Sequence, residues 1–431
     1  MTSLNYKTDL PVLAQCDVLV IGGGSAGSAA AIAAARQGAS VVLVERYGFL
    51  GGTGVMVLDT FYGFYTPGQT EKKVVGGIPD DVIAGLSAHN VLIKRPNTYG
   101  AGAGLTYDPE VLKVVWDKLA HDAGVKVLFH SYFIDLLRDG SQLKGVLVGT
   151  PKGPQAIMAT TIIDASGDAT VAARAGAPFE DSGALGIAQS LTTTFKMINV
   201  DMAAAKAFPK QAMWDLMAAK SDSYNLPRKE GSAHITPHDG VMVTNMTRVG
   251  GVDGTDVQQL SAAEREGRLQ ALEYARFLVD NVPGYEKSVL GGLAIQIGVR
   301  ETRRIKGEYW LTREDVLAAR QFDDAIAQCG APIEEHHAGG NTRWEYVPDS
   351  GTYGIPYRCL LPQDVDGMLV AGRCLSASHD AHASVRSIGQ CLAMGQAAGV
   401  AAALSTSMGV APRTLPATLI RERLADMGAV L

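Results

Sequence analysis

Cysteine is sparse and unpatterned. The five residues, Cys16, Cys329, Cys359, Cys374 and Cys391, are odd in number and show neither a Cys-x-x-Cys pair nor metal-ligand spacing. Reduced thiols in a cytoplasmic protein fit that usage, and one common signature of disulfide reductases is missing. Positive charge is short too: the formal net charge is −6, so no basic footprint exists for nucleic acid. Long apolar runs are absent, because the Ala-rich stretches at 29–35 and 397–403 are too short and too small for a membrane span. Residues 1–17 carry no basic segment followed by an apolar core, so no signal peptide is expected. No internal repeat or low-complexity tract appears.

The 431 residues are 47% hydrophobic and 19% charged, enough for a sizeable core in two domains or one large domain with insertions. The most informative stretch is Asp17 to Glu45. An apolar run, Val18 to Ile21, leads into Gly22-Gly23-Gly24-Ser25-Ala26-Gly27. An Ala-rich helical segment to Arg36 and a second apolar run, Val41 to Val44, follow, and Glu45 closes the unit. Gly22 permits a tight turn, Gly24 lets backbone approach a pyrophosphate, and Gly27 lets the helix pack closely on the sheet. The helix start offers unpaired N–H groups to phosphate oxygens. Glu45 can accept hydrogen bonds from a ribose diol, and its charge disfavours a 2′-phosphate there. Dinucleotide binding is therefore expected, with Gly22, Gly24, Ser25, Ala26, Gly27 and Glu45 at the site.

The loop Arg46-Tyr47-Gly48-Phe49-Leu50-Gly51-Gly52-Thr53 comes directly after the acid. Its glycines let backbone run close along an extended ligand. Further along, residues 111–121 show a helical apolar face. Val125–Phe129, Gln142–Val148 and Thr160–Ala165 have strand character, with a turn signal at Asp139-Gly140. Between 178 and 360 charge rises. Thr192–Asn199 and Gly240–Thr247 are expected strands there, and Ser261–Leu278 an amphipathic helix. Gly250-Gly251-Val252-Asp253-Gly254 is not expected to open a helix, so no second dinucleotide site is foreseen. Met368–Arg373 has the pattern of a buried strand ending in glycine, and Ser387–Leu404 that of a small-residue helix. These elements predict an α/β fold: a Rossmann-like dinucleotide-binding domain (parallel sheet plus β-meander) from 1–175 and 361–431, with an inserted α+β substrate domain at 176–360.

The fingerprint at 22–27 occurs with Gly51-Gly52-Thr53, Val75-Gly76-Gly77-Ile78-Pro79 and Ile163-Asp164-Ala165-Ser166-Gly167-Asp168-Ala169. Later come Gly298-Val299-Arg300-Glu301-Thr302-Arg303-Arg304-Ile305, Tyr353-Gly354-Ile355-Pro356-Tyr357-Arg358, Val370-Ala371-Gly372-Arg373 and Ala381-His382-Ala383-Ser384-Val385-Arg386. Together they resemble the FAD-dependent oxidoreductases of the glutathione-reductase-like FAD-binding superfamily, over nearly the whole chain. The resemblance implies bound FAD, noncovalent, although covalent attachment occurs elsewhere in the superfamily. It implies that Arg46, Gly51, Gly52 and Thr53 follow the cofactor, that Ala165-Ser166-Gly167 passes its adenosine half, and that Gly372-Arg373 sits near the pyrophosphate and ribityl chain. Ser384 and Ile388 join the cofactor site by the same resemblance, with the helix from Ser387 aimed at the flavin. The chain departs from flavin halogenases in lacking a Trp-x-Trp-x-Ile-Pro run.

Such folds host many chemistries, so the substrate stays open. Flavin chemistry moves a hydride and leaves one proton for the protein to handle. His379 and His382 are the proton-handling candidates, with the alternative that His382 only hydrogen-bonds FAD or backbone. Arg300 can clamp a carboxylate or stabilise an enolate, or it can belong with Arg303 and Arg304 to an ion-pair network. Arg386 is expected beside the cofactor, and Tyr357 and Arg358 either line the site or pack in the core. Adjacent histidines at 336 and 337 diverge on any regular element, so a solvated loop rather than a metal site is expected there. The expected activity is hydride transfer between a small organic substrate and flavin, with electrons passed to an acceptor or oxygen. The alternative is an FAD-binding subunit without its own redox turnover. An oligomer is compatible with either.

Overall fold

The computed structural model describes residues 9–68, 70–96, 100, 102–336 and 342–431. Its main sheet is built from apolar runs covered on both faces, as parallel strands require. Strand β1 (Val12–Ile21) lies centrally, with Val18, Leu19 and Val20 fully buried. Strand β2 (Val41–Val44) pairs parallel with one side of β1, and Lys126–Leu128 lies outside β2. The long strand Gly153–Asp164 pairs parallel with the other side. Its first half also pairs antiparallel with Gln142–Thr150, which pairs with Tyr132–Asp139 to complete a meander. Its last residues, Ile162–Asp164, pair parallel with Met368–Val370, so the chain returns to its first sheet near its end.

Register fixes where a ligand can sit. Ile21 pairs with both Val44 and Asp164, Val44 with Leu128, and Asp164 with Val370. The carboxyl ends of these strands thus form one transverse row, and the crevice beyond such a row is where open α/β sheets bind ligands.

Two helices cover one face. Helix α1 (Ser25–Arg36) follows β1, and Ile388–Met408 packs against it. Their contact is backbone to backbone: a Cβ on Gly395 would lie 2.0 Å from the Ala26 carbonyl oxygen, and one on Gly399 2.1 Å from that of Ala30. The helix Ile388–Met408 is long and apolar enough to cross a membrane, contrary to the sequence expectation, but 83% of its most apolar window is buried inside the protein, as befits a core helix.

A four-stranded antiparallel sheet, in the order Ser232–Ile235, Val241–Asn245, Phe195–Ile198, Val289–Leu293, occupies the middle of the sequence. The helix Val257–Asn281 packs on it through Ala271, Tyr274, Phe277 and Leu278 around Phe195 and Met242. His234 to Asp59 (2.7 Å) and His238 to Asp108 (2.6 Å) tie this sheet to the residues flanking the separate strand pair Thr60–Phe61 and Gly104–Tyr107. The apolar core does not divide at residue 360. Leu311, Ile326, Ile355 and Leu360 belong to the same cluster as Val18, Val20 and α1, whereas the cluster around Phe195 is separate.

One glycine segment departs from expectation. Gly254 stands just before the helix Val257–Asn281, so Gly250–Gly254 does lead into a helix. Asp256 caps it, accepting the N–H groups of Gln258 (2.8 Å) and Gln259 (3.1 Å). That carboxylate fills the place an anion would take, so the segment is no second phosphate site.

The helix contact makes a signed prediction. Alanine normally stabilises a helix by ~0.5–1 kcal/mol over glycine. Gly395→Ala and Gly399→Ala should instead each cost about 1–3 kcal/mol or more by overpacking, seen as a lower urea midpoint.

Candidate cofactor and substrate site

A cavity of about 400 Å³ lies at the carboxyl row of the sheet. The residues immediately after the strand ends, Gly22, Glu45, Ala165 and Ala371, all line it. At Gly22 φ is +99°, and a Cβ there would stand 2.5 Å from the Ala165 carbonyl oxygen. A Cβ on Gly27 would lie 1.7 Å from the Gly22 carbonyl oxygen. These two glycines are demanded by the protein's own packing. Gly24 is not: its Cβ would meet only the Gly52 Cα, at 3.9 Å, and would otherwise project into the cavity. The N-terminus of α1 has no side-chain cap and no acid in its first turn, which leaves its first N–H groups and dipole end for an external anion. A pyrophosphate fits that cradle.

The second glycine loop lies alongside. Gly51 N–H donates to the Gly23 carbonyl (2.8 Å), Ser25 Oγ to the Gly51 carbonyl (3.4 Å), and a Cβ on Gly52 would stand 2.7 Å from the Gly24 Cα. Ser25, Ala26, Arg46, Gly52 and Thr53 line the cavity; Gly27 and Gly51 lie behind its wall as packing glycines. Glu45 is more committed than expected. Its Oε2 accepts the Gly23 N–H (2.6 Å) and its Oε1 the Tyr47 N–H (2.8 Å), while burial pushes the carboxyl up. Each oxygen keeps a second lone pair for a ribose hydroxyl.

On the far strands, buried Asp164 accepts the N–H groups of Ser166, Val171 and Ala172, fixing the turn through Gly167. Arg373 grips that turn: Nε donates to the Gly167 carbonyl (2.8 Å), Nη2 to Asp168 Oδ1 (2.5 Å) and Nη1 to the Val299 carbonyl. Ser166, Gly167, Gly372, Arg373 and Ile388 all line the cavity. Ser384 does not; its hydroxyl donates to the Ala331 carbonyl (2.5 Å) and meets Tyr353 OH at 2.7 Å.

Three of the five catalytic candidates lie off the cavity. His382 is fully buried, with Nε2 2.8 Å from the Arg373 carbonyl oxygen, and burial pushes its pKa down to about 3. His379 stands between Glu301 (3.0 Å) and Glu335 (3.1 Å); burial pushes it down, but the carboxylates outweigh that and raise it. Tyr357 is buried and donates to the Pro412 carbonyl (2.9 Å), and Arg358 pairs with Asp324. The reason is local: the helix His379–Val385 turns its imidazoles toward Glu301 and the Arg373 backbone, away from the crevice. Arg304 serves an ion-pair network with Glu301 (2.9 Å) and Glu180. Glu335, His379 and Asp380 come within 4.8 Å of one another, but His379 spends both ring nitrogens on Glu301 and Glu335, and Asp380 faces Arg313.

Arg300 and Arg386 do line the cavity. Beside them are three groups that sequence reasoning missed: Tyr62, Glu334 and His336. His336 is buried, not in a solvated loop, with Nε2 3.1 Å from Glu334 Oε1; His337 lies outside the described residues. Strand alternation from Ile333 to Glu335 carries the missed signal, since it puts 334 and 336 on one face and 335 on the other, toward His379. The Tyr62 hydroxyl accepts from Arg95 Nη2 (3.1 Å), and burial is the main cause of its raised pKa.

A dinucleotide cradle opening into a cavity lined by a half-buried phenol and four guanidiniums is the arrangement of a nucleotide-dependent enzyme. Residues 17–424 match the family described as FAD dependent oxidoreductase, and the chain belongs to that family; its cofactor is FAD. A stretch of 97 residues is 58% identical to the 4-oxocyclohex-2-ene-1-carboxylate 5-dehydrogenase of Sinomonas cyclohexanicum, covering 22% of this chain but only 16% of that protein. Among solved structures, a geranylgeranyl bacteriochlorophyll reductase-like protein from Thermoplasma acidophilum is similar at 12% identity and TM-score 0.49, over 96% of this chain and 84% of the other. The p-nitrophenol 4-monooxygenase PnpA from Pseudomonas putida DLL-E4 is similar at 12% identity and TM-score 0.46, over 96% and 85%.

The glycines separate cofactor binding from folding. Gly24→Val should leave the fold and its urea midpoint nearly intact while the purified protein loses flavin absorbance. Gly27→Val should fail to give folded protein at all, as far-UV circular dichroism and solubility would show.

Proposed function

We propose that this protein transfers a hydride between a small organic substrate and FAD, with the Tyr62 hydroxyl as the group that exchanges the accompanying proton. FAD supplies the hydride acceptor or donor. The observation that carries the reading is that one cavity is lined both by the uncapped start of α1 and by Tyr62. Arg95 Nη2 donates to the Tyr62 oxygen, so the phenol's own proton is free to point at a substrate oxygen. Burial keeps the resting phenol neutral, the form that donates when substrate is reduced; when substrate is oxidised its proton passes to the tyrosinate, the form that the Arg95 guanidinium favours. Met56, Val57 and Ile388 give the cavity an apolar lining that excludes water around the reacting carbon. The dehydrogenase activity named for the Sinomonas relative agrees with this reaction type. His382 supports the Arg373 backbone and is a positioning residue here. Electrons then leave to a second acceptor or to oxygen.

Anaerobic mixing with a metabolite panel tests this. At least one small molecule should bleach the flavin, and Tyr62→Phe should keep FAD while slowing that bleaching by about 10²–10⁴. A flavin that no small molecule bleaches would favour an electron-transfer subunit instead. An unchanged rate in Tyr62→Phe would remove the phenol from the mechanism.

A further inference from the structure

Two guanidiniums face the cavity with capacity to spare. Arg300 Nη1 donates to the Ser190 carbonyl (2.5 Å) and Thr192 Oγ1 (2.7 Å), and no hydrogen bond within the described residues engages its Nε or Nη2. Arg386 Nη2 donates to Gln189 Oε1 (3.0 Å) and the Glu334 carbonyl (3.4 Å), and its buried Nε has no hydrogen-bond partner among the described residues. Glu334 is the one carboxylate on that wall, and it already serves His336. Burial pushes His336 down to about 3, so the imidazole is neutral at pH 7. The groups facing the cavity there therefore carry two positive charges against one negative. Behind them Arg228, only 6% exposed, adds a further cation whose Nε has no hydrogen-bond partner among the described residues. Burial, and after it the like charges of Arg386 and Arg228, push Arg300 down to about 9.

A buried surplus of positive charge is costly unless an anion completes it. Two planar forks suit a planar, two-oxygen anion, and a surplus of one suits a monoanion. The cofactor's pyrophosphate has its own place at the uncapped start of α1, so it does not account for this wall.

We propose that the substrate is a carboxylic acid whose carboxylate is bound by Arg300 and Arg386, on the wall formed by Gln189–Thr192 and Glu334–His336. This rests on the hydride-transfer reading for its term "substrate", but the binding it describes needs no turnover. The two arginines orient the acid, and Tyr62 and the apolar lining face the rest of the molecule.

The test titrates FAD-loaded protein with acetate and benzoate, each against its uncharged amide, and follows the flavin absorbance. Both acids should perturb the spectrum saturably and the amides should not. Arg300→Met and Arg386→Met should each retain FAD and weaken acid binding by about 10-fold or more, which corresponds to ~1.4 kcal/mol. Should Met at 300 impair folding by releasing Ser190 and Thr192, Arg300→Lys keeps the charge without the fork and should still weaken the acids while retaining FAD. Equal response to acids and amides, or none to either acid, overturns the proposal. So does loss of FAD in the folded arginine variants, which would assign the guanidiniums to the cofactor's phosphates. Inorganic phosphate competing more tightly than either acid would also overturn the carboxylate assignment. Acid binding with a flavin that no metabolite bleaches would sustain this site and defeat only the hydride-transfer reading.

Discussion

The close contact of Gly395 with the Ala26 carbonyl is the constraint on which the site depends. Because neither helix presents a side chain there, both can start at the edge of one crevice. The start of α1 and the Ser387–Ile388 start of the second helix line the same cavity. Neither has a side-chain cap or an acid in its first turn, so two positive helix ends converge on one low-dielectric space. Gly372 adds a third close approach, since its Cβ would lie 2.9 Å from the Ala26 Cβ. The strand row at Ile21, Val44, Asp164 and Val370 sets the level at which these ends meet.

Arg373 couples that nucleotide-side geometry to the opposite wall. Its guanidinium holds the Gly167 and Val299 carbonyls and Asp168, while its own carbonyl faces His382. Val299 directly precedes Arg300, so the grip that shapes the 166–168 turn also registers Arg300 against the cavity. The buried Glu301–Arg304 pair then anchors the chain on the other side of Arg300, away from solvent. A residue expected to touch the cofactor thus also sets the wall opposite it.

The sheet, its crevice and the glycine turn were legible because their signals are local. An apolar run, a glycine triplet and a terminal acid each depend on residues a few positions apart. The strands Phe195–Ile198 and Val241–Asn245 and the helix Val257–Asn281 were also foreseen to within a few residues, being strongly patterned. Which polar side chains line the cavity was legible only in part. His379 and His382 follow the Gly372 strand closely, but proximity in sequence to a cofactor loop does not fix side-chain direction on a short helix. Tyr62 carries no motif and gains its place only when Thr60–Phe61 pairs with Gly104–Tyr107 and Arg95 comes alongside. In sequence His336 stands beside His337, whereas strand parity makes Glu334 its companion.

The charges on the substrate wall are set so that ordinary pH does not alter them. His336 is held neutral down to about 3, by burial first and then by Arg300. Burial pushes the Glu334 carboxyl up, but the His336 hydrogen bond and the Arg386 and Arg300 charges outweigh it and hold it low, so it is ionised at neutral pH. Burial pushes both guanidiniums down, Arg300 to about 9. Tyr62 remains a neutral phenol, since burial raises it. Around neutral pH the wall therefore holds Arg300 and Arg386, an ionised Glu334, a neutral imidazole and a proton-bearing phenol. A histidine with its ordinary pKa would gain or lose charge near neutral pH, whereas guanidiniums do not. Around neutral pH the wall accordingly sets a positive surplus beside a neutral phenol.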